Sequence, residues 1–331
     1  MGPVRYARYL VDPVDHTPVR DLDLADGRVT FGSGRSYPVD NGIPILVPEE
    51  SGFDLGEILA RTSTTQAADY RTDSRLKNRI RKRALPRLSV DRDLGSRYRR
   101  VSAASAGSPA LVLGAGDKVA DYRRWLSSNE VIASDVHLQF DPDVVFDAHW
   151  IPFGDATLGL VVAGQVLEHT IRPWRVAGEI ERVVQTNGLA QIEVPFAFPL
   201  HSAPWDFFRF TVGGLRSLFR RSRLIRVDVS EGGFSAAAVT GASALTSSFT
   251  GRYARMGAEL AGRFGLGWLK YLDPFSAAGP DALSSPKGIA ATFRVDKRLR
   301  SDAELIGDVR EVLGSGRGGH WAADGSSRES S

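Results

Sequence analysis

The sequence predicts an α/β protein in which helices cover a mostly parallel sheet, preceded by a small β-rich module. From Ala110 to about Lys297, short apolar runs alternate with amphipathic stretches, which is typical of strands and helices that alternate along a chain. Residues 1–50 are instead rich in Pro, Gly and Asp and contain short β-type runs such as "RVTF" and "PILV", which indicate hairpins. We therefore expect two different sheets in one chain.

Composition limits the class of protein. The 331 residues are 42% hydrophobic and 24% charged, enough to bury the core of one full domain and of a smaller one. The absence of cysteine excludes disulfides and thiolate metal sites. We find no leader-like or membrane-spanning apolar run, so the expected location is cytoplasmic. The expected parts are a β-rich module at 1–50, a helical basic linker at 51–108, an α/β domain at 109–298 with a helical insertion at about 234–275, and a C-terminal helix with a disordered tail at 299–331.

A glycine turn opens the α/β domain. "ALVLGAG" is an apolar run that ends in Gly114, Ala115 and Gly116, and the helix-like "DKVADYRRWL" follows it. Such a turn lets the backbone approach a ligand and directs free N–H groups at it, although many tight turns use glycine for steric reasons only. The next run, "EVIASDV", ends in Asp135 and Val136, about twenty residues later. An acidic residue there can accept hydrogen bonds from both hydroxyls of a ribose, or can be a solvated strand end or a helix cap.

The segment after Asp135 carries a more specific pattern. Asp147-Ala148 precedes "IPF", and then "LGLVVAGQVLEH", "RPWRVAGEIERVVQTNG" and "LAQIEVPF" follow in that order. This run, over about 111–297, resembles the class I S-adenosylmethionine-dependent methyltransferases of type 11. The resemblance implies a Rossmann-like, seven-stranded, mostly parallel methyltransferase sheet with helices on both faces. It also implies S-adenosyl-L-methionine as the cofactor and an enzyme that moves a methyl group to an O or N atom.

The resemblance assigns cofactor roles residue by residue. The glycine turn would pass over the methionine and the ribose, Asp135 would hold the ribose hydroxyls, and Asp147 would bind the adenine. The implied cofactor residues are Gly114, Ala115, Gly116, Asp135, Val136, Asp147, Ala148 and Gln165. Two positions depart from the family, which mostly has an acidic residue at Val112 and often a third glycine at Lys118. Asp117 is a candidate to replace the missing acidic group.

A loop after the predicted fifth strand is the candidate acceptor site. "PFAFPLHSAPWDFFRFTVGGLRSLF" combines aromatic and ionisable residues at the rim where specificity is usually found. Similar stretches occur in methyltransferases of glycan and natural-product pathways, which implies a small-molecule or glycan-like acceptor. The predicted catalytic residues are His201, His169 and Asp206, and the predicted substrate-binding residues are Trp205, Phe208 and Arg209. Alternatively, Asp206 and Arg209 form a structural ion pair, the aromatic side chains cover the sheet, and His169 braces the following helix.

The N-terminal segment resembles the small zinc-ribbon proteins that activate tRNA and translation-factor methyltransferases. "YLVDPVDHTP" and "GRSYPVDNGIPIL" carry this likeness, but the four cysteine positions hold Asp12, Asp15, Thr30 and Ser33. Carboxylates and hydroxyls are poor zinc ligands, so we predict a degenerate ribbon with no metal. Without the metal the module is too small to be stable alone. We predict that it packs on the α/β domain through the apolar residues Tyr37, Ile43, Ile45 and Leu46.

A basic strip leaves a second function open. Residues 71–100 contain twelve Lys or Arg against three Asp. The strip could bind phosphates of nucleic acid or of a lipid surface. A solvated connecting helix is favoured because its densest part, "RLKNRIRKRALPRL", has no aromatic residue for stacking on bases. The alternative to an enzyme is thus a non-catalytic scaffold or RNA-directed protein that keeps the fold, and a nicotinamide-dependent oxidoreductase is a weaker third possibility. The oligomeric state stays open.

Overall fold

Two β-sheets form the framework of the computed structural model, which describes residues 6–23, 27–62, 85–277 and 281–314. The strands are β1 (Val19–Asp23), β2 (Arg28–Phe31), β3 (Ser36–Asp40), β4 (Ile43–Pro44), β5 (Pro109–Leu113), β6 (Glu130–Asp135), β7 (Val144–Val145), β8 (Leu158–Gly164), β9 (Val184–Pro195), β10 (Ser222–Glu231) and β11 (Gly288–Val295). The α-helices are α1 (Leu55–Leu59), α2 (Leu94–Ala104), α3 (Val119–Trp125), α4 (Pro173–Val183), α5 (Val212–Leu218), α6 (Gly233–Ser247), α7 (Arg252–Leu266), α8 (Asp273–Ala277) and α9 (Asp302–Gly314).

The larger sheet contains seven strands in the order β10-β11-β9-β8-β5-β6-β7. Strands β5 to β9 pair in parallel, whereas β11 is antiparallel to both β9 and β10. The chain therefore runs outward from β5 through β6 to β7 and then returns to β8 on the other side of β5. The direction in which strands are added reverses between β5 and β8. A reversal of strand order leaves a crevice at the carboxyl ends of the central strands.

Helices cover both faces of this sheet because the buried strands alternate their side chains. In β5, Ala110 and Val112 pack with Tyr98 of α2 and Tyr122 of α3. Leu111 and Leu113 point to the other face, where α4 supplies its buried stripe of Val176, Ala177, Ile180 and Val183. The predicted fold class, a Rossmann-like and mostly parallel seven-stranded sheet with helices on both faces, is confirmed.

In the sequence, Pro173 suits the first turn of a helix, and Asn187-Gly188 predicts the end of that helix. Helix α4 does begin at Pro173, but the predicted end is wrong because β9 already begins at Val184. The pairing of β8 with β9 shifts register here, from Leu158 opposite Val184 to Leu160 opposite Leu189. The left-handed Asn187, with φ of 68°, therefore belongs to a bulge in a strand.

The N-terminal module, residues 6–48, forms a small antiparallel sheet in the order β1-β2-β3-β4 and continues the large sheet beyond β7. Ile45 makes a parallel bridge with Val145, and the Leu46 N–H donates to the Val145 carbonyl at 2.7 Å. Tyr37 and Leu46 belong to the main core, whereas Ile45, with Ile43 packed beside it, lies in a cluster with Val145. The prediction that the module packs on the α/β domain through these residues is confirmed.

The four ligand positions of the resembled ribbon are tied to protein groups. Asp12 is fully buried, and it accepts hydrogen bonds from Ser33 Oγ at 2.9 Å and from the Val14 N–H at 2.8 Å. Asp15 forms an ion pair of 2.8 Å with Arg35. Thr30 is 3.0 Å from Ser36 Oγ. A hydrogen-bonded cluster therefore stands where the resembled ribbons hold zinc, although the likeness to those ribbons stays a prediction.

Helices α6, α7 and α8 lie between β10 and β11, where α6 and α7 pack closely. A methyl group added at Gly262 would lie 2.9 Å from Ala242 Cβ, so the contact requires a small residue. Within the described ranges, no helix is both long and apolar enough to cross a membrane. Most of the densest basic stretch, and the predicted disordered tail from residue 315 onward, lie outside the described residues. The domain boundaries stay predictions.

Candidate active site

The carboxyl ends of β5, β6 and β8 surround a cavity of about 370 Å³. This size is in the range of small-molecule sites. The sequence-predicted cofactor residues all line it, namely Gly114, Ala115, Gly116, Asp135, Val136, Asp147, Ala148 and Gln165. The order of the strands thus brings together residues that are far apart in the chain.

The turn after β5 requires glycine at two positions. Gly114 and Gly116 have φ of 61° and 54°, a left-handed backbone that most other residues adopt only with strain. A Cβ atom at Gly114 would also lie 2.8 Å from Val166 Cγ2. The backbone here forms a cradle open to the cavity, and a side chain at Gly114 would fill it.

Asp135 is held by backbone donors beside this cradle. Its carboxylate accepts from the Gly116 N–H at 2.8 Å and from the His137 N–H at 3.1 Å. Only 5% of Asp135 is exposed, and burial raises the pKa of its carboxyl to about 6 despite these hydrogen bonds. A carboxylate has about four acceptor positions, so Asp135 keeps capacity for the hydroxyls of a ribose.

Asp147 is fixed by two neighbours that the sequence did not reveal. Its Oδ1 accepts from the His149 N–H at 2.9 Å and lies 2.6 Å from His149 Nδ1. Its Oδ2 accepts from Ser51 Oγ at 2.8 Å, and Ser51 belongs to the segment that leaves the N-terminal module. The segment that follows the module thus takes part in the candidate cofactor site.

The same segment covers part of the cavity. Gly52 and Phe53 line it, and the Phe53 ring stacks on Trp205 with centroids 4.9 Å apart and planes at 13°. Trp205 itself comes from the predicted acceptor loop and also lines the cavity. No motif marks "SGF" in the sequence, because only tertiary packing gives Phe53 this position.

The sequence analysis did not single out several other residues of this site, although a sequence signal existed for two of them. They include Gly52, Phe53, His149, Trp150 and Arg172, which line the cavity, and Ser51, which donates to Asp147. His149 and Trp150 directly follow Asp147-Ala148, and a His-Trp pair beside a ligand motif could have been singled out. Arg172 has no comparable signal, since it precedes α4 at an ordinary loop position.

Two predicted catalytic residues meet at the acceptor end of the cavity. The rings of His169 and His201 are edge to face with centroids 4.8 Å apart, and both line the cavity. The His169 Nδ1 lies 2.5 Å from the Trp205 carbonyl, which can only accept, so this nitrogen carries the proton. Burial lowers the pKa of both imidazoles below the ordinary value. Both rings are therefore neutral at pH 7.

Asp206, Phe208 and Arg209 do not line this cavity, and their predicted roles in catalysis and substrate binding stay predictions. Asp206 has a fully buried side chain and accepts from Arg209 at 2.7 Å and from the His201 N–H at 2.7 Å. Burial alone would raise its pKa, but these hydrogen bonds outweigh burial and lower the pKa to about 2. Phe208 stacks on Phe210 against the main core. The ion pair shapes the loop, as the alternative interpretation expected.

Glu168 lies behind the two imidazoles and is fully buried. Among the described residues, neither oxygen of its carboxyl accepts a hydrogen bond. His169 Nε2 is 4.0 Å from Glu168 Oε1, which is too far for a hydrogen bond. Burial raises the pKa of Glu168 to about 8. This carboxyl has no structural partner in the described chain.

The residues of the cavity fit S-adenosylmethionine in most respects. The glycine cradle and the buried Asp135 are present, and the Asp147 carboxylate keeps one acceptor position on Oδ2. Val112 is fully buried in β5 and offers no polar group, so the anchor for the cofactor's amino group is missing at that position. Asp117 lines the cavity and is exposed, so it is available for the role the sequence suggested.

Part of the α/β domain matches a family of known proteins. Residues 118–192 match a family described as a methyltransferase domain. A comparison with curated proteins finds no significant match. Among solved structures, a possible histamine N-methyltransferase from Thermotoga maritima is 10% identical, with 71% of this chain and 100% of that chain covered and a TM-score of 0.41.

Two further solved structures are similar at the same level. A SAM-dependent methyltransferase from Archaeoglobus fulgidus is 15% identical, with 67% of this chain and 99% of that chain covered and a TM-score of 0.41. The 1,6-didemethyltoxoflavin-N1-methyltransferase from Burkholderia thailandensis is 14% identical, with 78% and 97% covered and a TM-score of 0.39. Likenesses this distant do not bear on the acceptor. Residues 118–192 thus match a methyltransferase domain, and the strand order and the glycine cradle are consistent with that match.

Proposed function

We propose that the protein transfers a methyl group from S-adenosylmethionine to an O or N atom of a small-molecule or glycan-like acceptor. One observation carries this proposal: two neutral imidazoles, His169 and His201, line the cavity that contains the candidate cofactor residues. Transfer to oxygen or nitrogen needs a group that takes or shares a proton. A cavity of about 370 Å³ suits a small acceptor better than a macromolecule.

The cofactor supplies an activated methyl group, so the protein's main task is to position the acceptor. We assign the ribose hydroxyls to Asp135, the adenine to Asp147 and the backbone of Ala148, and the methionine end to the turn at Gly114–Gly116. Gln165, with φ of 60°, is held in a left-handed conformation at the end of β8. Strained backbone of this kind is often found at functional sites, which supports a place for Gln165 beside the methyl group.

At the acceptor end we assign proton transfer to His201. Asp206 Oδ2 and Arg209 Nη2 lie 3.2 Å and 3.4 Å from His201 Nδ1, an acceptor and a donor respectively, and the neutral ring keeps one unprotonated nitrogen that can take a proton. Asp206 and Arg209 then act through His201 by holding the loop, while Trp205 forms the apolar wall that Phe53 supports. The neutral imidazole is the form able to take a proton from a hydroxyl or an amine.

The alternative, an RNA-directed or scaffold protein, is less well supported by the described part of the basic strip. Arg97 is buried and pairs with Asp91 and Glu193, and Arg100 pairs with Asp228 at 2.9 Å. Arginines that bind carboxylates inside the fold are not available for phosphates. The cytoplasmic location and a small-molecule partner are parts of the same proposal.

Calorimetric titration with S-adenosylhomocysteine tests the cofactor site. We expect micromolar binding by the full chain and a loss of about 10- to 100-fold for Asp135→Ala, because a hydrogen bond to a charged group is removed. Glu130→Ala, at the opposite end of β6, is the matched control and should bind normally. No binding by the intact protein would contradict the proposal.

The acceptor class is tested by methyl transfer from labelled S-adenosylmethionine to a panel of sugars, phenols and amines. We expect activity on at least one hydroxyl or amine acceptor. His201→Gln should lower kcat by about 100-fold or more while S-adenosylhomocysteine still binds, because only proton transfer is lost. Salt-sensitive RNA binding without any methyl transfer would favour the alternative.

A further inference from the structure

The starting point is the buried carboxyl of Glu168. A buried carboxyl without a hydrogen-bond partner destabilises a fold, and buried charged groups are normally paired or bind metal ions. Glu168 is fully buried, and neither of its oxygens has a hydrogen-bond partner within the described chain. Because the buried Glu168 carboxyl destabilises the fold and makes no hydrogen bond that would offset this cost, we look for a ligand that it binds.

Two imidazoles complete a ligand set with Glu168. One donor atom from each of Glu168, His169 and His201 can be chosen so that all three atoms lie within 4.8 Å of one another. Among the described residues, these three side chains form the one cluster of His, Asp or Glu groups whose donor atoms are close enough to hold a metal ion. Its members come from the turn after β8 and from the acceptor loop, which meet at the cavity.

The outer contact of His169 matches that of a metal ligand. A metal-bound histidine usually donates its other ring N–H to a carboxylate or a backbone carbonyl. His169 Nδ1 donates to the Trp205 carbonyl at 2.5 Å, which leaves the lone pair on Nε2, the atom that lies 4.0 Å from Glu168 Oε1. His201 Nδ1 lies 3.2 Å from Asp206 Oδ2 and 3.4 Å from Arg209 Nη2, so an acceptor and a donor both face that nitrogen.

We propose that Glu168, His169 and His201 bind a divalent transition-metal ion at the acceptor end of the cavity. Two imidazoles and one carboxylate suit zinc, manganese, iron or cobalt, and a three-ligand set leaves positions open for substrate. Ligand atoms at about 2.0–2.1 Å from a tetrahedral zinc lie about 3.3 Å apart. The three donor atoms, which now lie within 4.8 Å of one another, would have to approach to that spacing when an ion binds.

The ion would change how the acceptor is activated. This catalytic role rests on the proposed function, whereas the binding of the metal ion does not. An acceptor hydroxyl bound to the ion loses its proton to solvent more readily. The acceptor oxygen then bonds the methyl carbon as the bond from that carbon to sulfur breaks, and the electron pair stays on sulfur. In the metal-bound protein His201 would hold the ion and the proton would go to solvent, whereas in the metal-free protein His201 keeps the proton-accepting role proposed above. The acceptor class narrows to molecules whose oxygen can bind a metal ion, such as phenols and vicinal diols.

Titration of the metal-free full chain with Co²⁺ tests the site, since cobalt bound by imidazole and carboxylate absorbs visible light. We expect one equivalent to bind. Glu168→Gln and His169→Ala should each weaken binding about 10-fold or more, as losses of ligands do. His16→Asn removes an exposed histidine of the N-terminal module and should leave binding unchanged. Equal binding by wild type and Glu168→Gln would overturn the proposal.

Two further measurements separate loss of the site from loss of the fold or of the cofactor. Glu168→Gln replaces an unpartnered carboxyl by a neutral isostere, so its metal-free melting temperature should equal or exceed that of wild type. S-adenosylhomocysteine should still bind to both proteins. A wild type that binds S-adenosylhomocysteine but not Co²⁺, Mn²⁺ or Zn²⁺ refutes the metal site alone. A wild type that binds Co²⁺ at one equivalent but not S-adenosylhomocysteine refutes the proposed function and leaves the metal site standing.

Discussion

The N-terminal module and the cavity each contain a fully buried carboxyl group, but within the described chain only the one in the module is hydrogen-bonded. In the N-terminal module, Asp12 is fully buried and its oxygens accept from Ser33 and Val14, with the Arg35 guanidinium 3.6 Å away. At the cavity, Glu168 is equally buried, yet neither of its oxygens has a hydrogen-bond partner among the described residues. In the first cluster the buried carboxylate receives hydrogen bonds, whereas in the second the positive charge of Arg209 is paired with Asp206 and no described donor reaches Glu168.

This difference shows how a structural cluster can be told from a binding site. The cost of burying a carboxylate is offset in the module by hydrogen bonds and by a cation that is part of the chain. At Glu168 no hydrogen bond from the described chain offsets burial, and burial raises the pKa of this carboxyl to about 8, which favours the neutral acid near pH 7. The module thus resembles a metal-binding ribbon in sequence without needing a metal, whereas the metal-binding geometry occurs where no motif predicted it.

Of the changes that test this comparison, a charge at Leu46, which anchors the N-terminal module in the main core, should lower the stability of the protein most. Leu46→Asp places a charge in the main core, where Leu46 is fully buried, and should cost about 5 kcal/mol or more of unfolding free energy. We expect insoluble protein or a strongly lowered melting temperature by calorimetry. Leu59→Asp, at a residue that is 43% exposed on α1, is the control and should be nearly neutral. Equal, small effects would show that the module is an independent appendage.

Breaking the saturated cluster should have the next largest effect. Asp12→Ala leaves Ser33 and the Val14 N–H without their acceptor and should lower the unfolding free energy by about 2–3 kcal/mol in urea titration. Asp15→Ala removes a more exposed ion pair with Arg35, so a much smaller loss is expected. If both changes cost the same, the buried cluster would have no special role in the fold.

The pH dependence of cofactor binding should show the smallest effect. The carboxylate form of Asp135 accepts the ribose hydroxyls, and its pKa in the free protein is raised to about 6. Below pH 6 the protonated form dominates, so S-adenosylhomocysteine affinity should fall by up to about 10-fold per pH unit, whereas above pH 7 it should be constant. Asp135→Asn should bind weakly with little change over this range. A wild-type profile that is flat from pH 5 to 7 would contradict the assignment.

The sequence predicted the parts of the molecule that depend on local pattern. The apolar runs at β5, β6, β8 and β9, the glycine turn and Asp135 follow from periodicity and motif order, because buried parallel strands and tight turns restrict residue types strongly. The bulge at Asn187 was missed because Asn-Gly also ends helices, and only the register of β9 against β8 decides between these uses.

Contacts between distant segments could not be predicted in the same way. Ser51 on Asp147 and Phe53 on Trp205 join residues that no spacing rule relates. Likewise, the sequence singled out His169, His201 and Asp206 and left the Asp206–Arg209 ion pair as one of two interpretations, but nothing in it shows that Glu168 lacks a hydrogen-bond partner among the described residues. Such distinctions depend on which side chain the fold leaves unsatisfied.

The stack of Phe53 on Trp205 limits how this enzyme can be re-engineered. The acceptor loop, residues 195–211, carries Trp205, and the indole of Trp205 stacks on the Phe53 ring with the two ring planes at 13°. Phe53 lies about 150 residues earlier in the chain. A graft of the loop alone into another methyltransferase would leave the indole unsupported on one face. Transfer of acceptor preference should therefore require residues 49–53 together with the loop, and directed evolution toward a new acceptor should gain from varying both segments in one library.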